Sequence, residues 1–263
     1  MSQDSAQSGS ETGSTAAALP EDLAKRLARA RHWVVMTGSG VSAESGVPTF
    51  RDAQTGLWEQ YDPLQLATPE AFARDPQLVW DWYRWRRELI ARAQPNAAHR
   101  ALAELAGLKP DLTLITQNVD GLHQRAGSPE VIEFHGNIHR NKCFECEHLV
   151  AESRGSTRRP PACLRCGGLL RPDVVWFGEP ISSAALGASY RAVASCEVFL
   201  SVGTSALVHP AASLAQAALD RQALLVEVNP NTTPLSPLAD YALEGSAELW
   251  LPTIASCMKQ ALS

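Results

Sequence analysis

Residues 112–120 read Leu112-Thr113-Leu114-Ile115-Thr116-Gln117-Asn118-Val119-Asp120, and residues 131–137 read Val131-Ile132-Glu133-Phe134-His135-Gly136-Asn137. Each segment is an apolar run that empties into polar, chemically capable side chains. The apolar runs predict two strands, with a short helical turn between them. In open α/β sheets, ligands bind just outside the carboxyl ends of the strands. Thr116 to His135 is therefore the expected floor of an active site.

The same pattern recurs along the chain. Trp33-Val34-Val35-Met36 predicts a buried strand that runs into Thr37-Gly38-Ser39-Gly40-Val41-Ser42-Ala43. That is GxGxxA directly after a strand, the dinucleotide-loop pattern, in which glycines let the backbone approach a pyrophosphate and a following helix start favours negative charge. On its own this match is also what a tight strand-to-helix turn gives. The loop from Gly46 to Arg51 contains Phe50 and Arg51 and is long enough to cover a ligand. Asp173 to Phe177 reads as a short strand ending in Gly178-Glu179-Pro180. Cys196 to Val202 reads as a strand ending in Gly203-Thr204-Ser205, and Leu224 to Val228 as one ending in Asn229. Helix capping explains any single polar strand end. Five of them, TGSG, TQNVD, EFHGN, VGTS and EVN, at one edge of one sheet fit a large polar ligand such as a dinucleotide. Helix and strand alternate, so the sheet is expected to be parallel.

The 263 residues are 45% apolar, enough for a substantial core with an insertion. A net charge of −5 gives no basic footprint for nucleic acid or a membrane surface. No apolar run reaches the length of a membrane span, and the N-terminus lacks secretory and transit-peptide features, so a cytoplasmic protein is expected. Residues 1–19 are too polar to offset ordering entropy and are expected to be disordered. Four of the six cysteines form Cys143-x2-Cys146 and Cys163-x2-Cys166, separated by 16 residues. This spacing predicts a tetrahedral zinc site, one ion per chain. Four thiolates leave no open position, so the zinc is expected to be structural. A nucleic-acid zinc ribbon is the competing idea, which the acidic balance does not favour.

Thr68-Pro69 and Asp75-Pro76 each predict a cap and first turn of a helix. On the second helix Leu78, Trp82, Trp85 and Leu89 form one stripe, and Val79, Tyr83, Arg86 and Ile90 form another. Arg86 interrupts that apolar stripe, while Asp81, Arg84, Arg87 and Glu88 read as solvated charge. A half-buried Arg needs an anion. An internal salt bridge supplies one; the carboxylate of a ligand, gripped by the guanidinium fork with Tyr83 one turn away, is the sharper reading. A further helix is expected over Asn96 to Ala106, stopped by Gly107 and Pro110.

Taken together, TGSGVSAESGVPTFR, TQNVDGLH, FHGN, the paired CxxC motifs, VVWFGE, VGTS and EVN resemble the sirtuins, the NAD-dependent protein deacylases, from about Leu27 to Leu251. Tyr83-x-x-Arg86, with the small Ala67 ahead of Thr68-Pro69, is similar to the branch that removes acidic acyl groups. The family usually has Gly-Ala-Gly where this chain has Gly38-Ser39-Gly40. The resemblance implies a Rossmann-like domain in three parts (residues 20–62, 109–140 and 172–263). It also implies a small domain made of a helical part (63–108) and a zinc module (141–171). Gly38, Ser39, Gly40, Ser42, Phe50, Arg51, Gln117, Asn118, Val119, Asp120, Gly203, Thr204, Ser205, Asn229 and Ala247 would contact or position NAD. Ala67, Tyr83 and Arg86 would receive the acyl group. Val174, Val175, Phe177, Gly178 and Glu179 would take the substrate peptide as an added strand.

By the same resemblance, the acyl oxygen of a modified protein lysine attacks the anomeric carbon of the nicotinamide ribose and nicotinamide leaves. His135 then serves as general base toward a ribose hydroxyl, with Asn118 and Asp120 orienting the reacting end. That hydroxyl attacks the acyl carbon, and hydrolysis then yields free lysine and O-acyl-ADP-ribose. Succinyl, malonyl and glutaryl groups are the expected acyl groups, with acetyl weaker, on a chain expected to be a monomer. An ADP-ribosyltransferase using the same NAD site and a non-enzymatic zinc-ribbon binding module are the alternatives; a plain NAD dehydrogenase lacks an acidic ribose partner on a second strand.

Overall fold

The computed structural model describes residues 18–47, 61–150 and 160–262. Residues 1–17, Phe50 and Arg51 lie outside them. The chain opens with helix α1 (Glu21–Arg29) and strand β1 (Trp33–Thr37), then continues through α2 (Pro63–Leu66), α3 (Pro69–Arg74), α4 (Pro76–Arg92) and α5 (Ala97–Leu108). Next come β2 (Leu112–Thr116), α6 (Leu122–Arg125), β3 (Val131–Glu133), β4 (Gly136–Cys143), β5 (Leu149–Val150) and β6 (Leu170–Val174). The C-terminal part is α7 (Ser183–Ala194), β7 (Val198–Val202), α8 (Ala211–Leu219), β8 (Leu224–Asn229), β9 (Tyr241–Glu244) and α9 (Ala247–Leu262).

Six strands form one parallel sheet in the order β3-β2-β1-β7-β8-β9. Its strands alternate between two cores. Trp33 and Val35 of β1 face α1, α5 and α9, together with Val198, Leu200 and Val202 of β7 and Val226 and Val228 of β8. Val34, Met36, Phe199 and Leu225 face the other way, toward α7 and α8. Strands buried on both faces need near-continuous apolar sequence, and that is why these runs were legible. Because all the strands are parallel, the five polar strand ends do share one edge. The order reverses between β1 and β7, the switch point where such sheets bind ligands.

A second, three-stranded antiparallel sheet, β5-β4-β6, carries the cysteines. Against it pack α2, α3 and α4 through Leu66, Phe72, Val79, Trp82, Ile90, Ile138 and Trp176. Thr68, Asp75 and Asn96 cap α3, α4 and α5 by accepting backbone N–H bonds, each contributing about 1 kcal/mol.

Several expectations change. After β1 the chain makes two three-residue 3-10 turns, Ser39–Val41 and Ala43–Ser45, not an α-helix, so no helix dipole stands behind the first loop. Helix α5 runs through Gly107 to Leu108, and Lys109, whose Nζ bonds the carbonyls of Leu27, Ala28 and Ala30, follows it. It packs on the large sheet with α9, which separates residues 97–108 from the small-domain helices. The strand expected at Asp173 to Phe177 lies earlier, at Leu170–Val174, and belongs to the small sheet. Arg171 explains the shift: a charged residue there breaks the apolar run, yet it is 2% exposed because Glu179 and Trp176 surround it. Arg87 is not solvated. Its guanidinium binds the carbonyls of Ile138 and Arg140 and the Asn141 side chain, tying α4 to β4.

Candidate active site

His135 sits between β3 and β4, half-buried. Its Nδ1 lies 3.0 Å from the Gln117 carbonyl oxygen. A carbonyl only accepts, so Nδ1 carries the proton and Nε2 is left with its lone pair. Burial pulls the imidazole below its ordinary pKa, opposed by the Gln117 bond, so the ring is neutral near pH 7. This is the protonation state a general base requires. The His135 carbonyl in turn accepts from the Val175 amide.

Beneath it lies a buried polar network. Ser42 Oγ donates to Asp120 Oδ2 at 2.7 Å, and Asp120 Oδ1 accepts from the Leu122 amide at 2.9 Å. Asn118 Nδ2 donates to the Gly38 carbonyl (3.0 Å) and to Ser42 Oγ (3.1 Å). Ser42 and Asp120 are nearly inaccessible, at 1% and 4% exposed. Their side chains bond to one another and to the backbone, while the Asn118 side-chain carbonyl has no partner among the described residues. His99 Nε2 lies 3.3 Å from Ser42 Oγ, and its ring packs 4.9 Å from that of His123, whose Nε2 meets Thr37 Oγ1. Burial drives His99 down to about 4 and His123 to about 3, so both are neutral. His99 escaped the sequence reading; the only hint was its place three residues after Asn96, where it completes a capping box.

At the switch point two glycine loops interlock. A Cβ on Gly38 would stand 2.7 Å from the Gly203 carbonyl, and one on Gly40 would stand 2.7 Å from Gly203 Cα. These glycines let the loops after β1 and β7 touch, not only approach a pyrophosphate. Gln117 Nε2 bonds Thr204 Oγ1 and Asn229 Nδ2 bonds the Thr204 carbonyl, at 2.9 and 2.8 Å. The ends of β2, β7 and β8 are thus fastened together. The backbone amides of Thr204 and Ser205 have no partner among the described residues. Ser39 is exposed, so its hydroxyl disturbs no packing. The Ala247 side chain is buried in the large core at the start of α9. Val119 packs on the small-sheet core and its carbonyl accepts from Ile138.

Ala67, Tyr83, Val174 and Trp176 belong to one cluster. Arg86 lies over the Trp82 ring, 5.2 Å from its centroid, and burial lowers its pKa. Between Val175 and Glu179 most amides are already bonded inside the protein: Val175 to His135, Trp176 to Glu179 Oε2, Phe177 to Ala67 and Glu179 to Trp176. Gly178, at φ +85°, keeps an amide without a partner among the described residues. The Glu179 carboxylate is bound to Arg171. Among the described residues Gly178 is thus the one amide from Val175 to Glu179 left to donate.

The four cysteine sulfurs all lie within 4.8 Å of one another. Cys143–Cys166 and Cys146–Cys166 are 3.4 Å apart and Cys146–Cys163 3.9 Å. Tetrahedral zinc with thiolate bonds of about 2.3 Å needs edges of roughly 3.8 Å. Amides of Cys146 and Arg165 point at the sulfurs of Cys143 and Cys163, which favours thiolates. The donor set fits one structural zinc. Trp80, missed in the stripe analysis, packs against Cys143 and Cys163 and links α4 to this module.

Residues 38–210 match the Sir2 family. The chain belongs to that family. It is 49% identical over 241 residues to NAD-dependent protein deacylase 2 of Pyrobaculum aerophilum, covering 92% of this chain and 96% of that one. It is 47% identical to NAD-dependent protein deacylase 1 of Archaeoglobus fulgidus, covering 93% and 100%. Among solved structures, a Sir2 homologue in complex with NAD superposes with a TM-score of 0.87 at 46% identity, covering 93% and 96%. A Sir2 protein with a deacetylated p53 peptide and 3'-O-acetyl ADP-ribose gives 0.77 at 30% identity, covering 92% and 98%. Among the described residues no helix is long and apolar enough to cross a membrane.

Proposed function

We propose that this Sir2 protein is an NAD-dependent protein-lysine deacylase that favours acidic acyl groups, succinyl and malonyl above acetyl. The observation that carries the deacylase reading is His135 held by the Gln117 carbonyl, with Nε2 unbonded among the described residues, at the edge where the other strand ends converge. The chain's own donors suit NAD: at the switch point the amides of Thr204 and Ser205, without a partner among the described residues, suit a pyrophosphate. When bound, NAD supplies a glycosidic carbon with nicotinamide as leaving group and a hydroxyl that receives the acyl group.

The residues take distinct parts. Gly38, Ser39, Gly40, Gly203, Thr204, Ser205, Asn229 and the Ala247 backbone hold the cofactor's length, with Phe50 and Arg51 from the segment outside the described residues. Gln117 orients His135 through its carbonyl and Thr204 through its side chain. Asn118 offers a carbonyl acceptor to an amide ligand because both of its N–H bonds are committed inward. Asp120 and Ser42 position Asn118. His135 takes a proton at Nε2. Ala67 leaves room for the acyl chain, and Tyr83 and Arg86 offer a donor and a cation to its distal carboxylate. Gly178 meets the peptide backbone.

The test is a side-by-side assay of acetyl-, malonyl-, succinyl- and glutaryl-lysine peptides with NAD, following nicotinamide release. Higher kcat/KM for the acidic acyl groups is expected. Preference for acetyl would remove the acyl part of the reading, and ADP-ribose left on protein instead of O-acyl-ADP-ribose would favour a transferase.

A further inference from the structure

Tyr83 Oη lies 2.9 Å from Trp176 Nε1. An indole N–H is a donor with no acceptor capacity, so the direction of this bond is fixed: Trp176 donates and Tyr83 accepts. The phenol's own proton must point elsewhere, and no acceptor among the described residues takes it. Burial raises the Tyr83 hydroxyl to about 12, so that proton stays in place throughout the neutral range.

The indole itself is clamped. Its backbone amide donates to Glu179 Oε2 at 2.8 Å, and the Arg171 guanidinium carbon stands 3.1 Å from its ring centroid. Arg171 also bonds Glu179 and, at 2.6 Å, the Val174 carbonyl. Phe72 packs 5.4 Å away, centroid to centroid. Trp176 is 2% exposed. A ring fixed by its amide, its face and its edge cannot rotate to another acceptor. The segment carrying it is anchored on both sides, Val175 to the His135 carbonyl and Phe177 to the Ala67 carbonyl.

We propose that Trp176 is a specificity-positioning residue: by donating to Tyr83 it forces the tyrosine to face the acyl group as a hydrogen-bond donor, which suits a carboxylate and offers nothing to a methyl group. Trp176 need not touch the substrate for this, and its effect passes through Tyr83. This role rests on the acidic-acyl reading above. The contrasting role is mutual satisfaction alone, in which Tyr83 serves only to occupy a buried indole N–H.

The experiment compares wild type, Trp176→Phe, Tyr83→Phe and the double variant on succinyl- and acetyl-lysine peptides, with thermal melts of each. Binding of both peptides in the absence of NAD gives a readout independent of turnover. Because Phe at 176 could loosen the clamp, a second protein carries 3-benzothienylalanine at 176, which keeps the ring shape and removes the donor. Both changes at 176 are expected to lower the succinyl-to-acetyl ratio of kcat/KM on the order of tenfold, mainly through KM, with the same fall in relative peptide affinity. The double variant should lose no more selectivity than Tyr83→Phe. If Tyr83→Phe lowers the ratio and neither change at 176 does, the role of Trp176 is overturned while the acidic-acyl reading stands. If Tyr83→Phe itself leaves the ratio unchanged, both fall.

Discussion

Glu179→Ala should be among the most destabilising single changes outside the hydrophobic cores. Arg171 is 2% exposed and Glu179 binds it through both carboxylate oxygens. The same carboxylate accepts the Trp176 amide. Truncation would leave a buried guanidinium without its anion and a buried amide without its acceptor. Breaking a buried pair from one side costs about 3–5 kcal/mol. For a chain of this size that is a fall in Tm of roughly 6–20 °C. Burial alone would raise the Glu179 carboxyl, but the Arg171 bond, the Trp176 amide and the Arg171 charge outweigh it and hold the pKa below the usual carboxylate value. The sign follows: a depressed pKa contributes stability above the unfolded value of about 4.3, lost as pH falls through the folded value. The Glu179→Ala variant should therefore show a flatter stability profile on the acid side than wild type. Denaturant melts across about pH 2–7 (roughly two units or more on either side of the unfolded value) measure both effects. Pairing Glu179→Leu with Arg171→Met should restore much of the loss, because no lone charge remains. A loss under about 1 kcal/mol for Glu179→Ala would mean that water solvates the pair, as at an exposed bridge, and would rule out a desolvated ion pair here.

Three further outcomes are expected. Gly203→Ala places a Cβ 2.7 Å from the Val41 nitrogen at φ +59°, so it should lower stability by about 2 kcal/mol or more and raise the NAD KM at least as much as it lowers kcat; steady-state kinetics with NAD varied checks this. Chelation should release one zinc per chain, measured by a metal-sensitive dye, and should abolish the cooperative melt of the small sheet; an unchanged melt after full zinc loss would count against the staple. The acid limb of kcat/KM should have its midpoint below about 6.5, the ordinary histidine value, because burial depresses His135 and only its neutral form accepts a proton; a midpoint above that value would exclude His135 as the titrating base.

The large sheet was legible because its strands are buried on both faces and so are apolar throughout, as Val198 to Val202 and Leu224 to Val228 are. Strand β9 was not, because Tyr241-Ala242-Leu243-Glu244 at the sheet's edge buries only Leu243. The helix expected after Gly38 failed for a different reason: two 3-10 turns satisfy the same Gly and Ser pattern without an α-helix. Arg86 and Arg87 show the limit of helical periodicity. It told which side of α4 each occupies, but not that the carbonyls of β4 would come to meet Arg87. His135, Asn118 and Asp120, proposed above for the reacting end, were visible as strand ends. The contacts that hold them, His99 with Ser42 and Thr204 with Gln117, join segments far apart in sequence, which no local pattern encodes.

On the function proposed above, this Sir2 protein transfers an acyl group from protein lysine to NAD-derived ribose with His135 as base. The most direct measurement is mass spectrometry of the products formed from NAD and a succinyl-lysine peptide by wild type and by His135→Ala, with the fold of each verified by thermal melting. Equal amounts of nicotinamide, O-succinyl-ADP-ribose and free lysine peptide from wild type, and none of the last two from the folded variant, is the predicted result. Formation of O-succinyl-ADP-ribose by His135→Ala at the wild-type rate would contradict it.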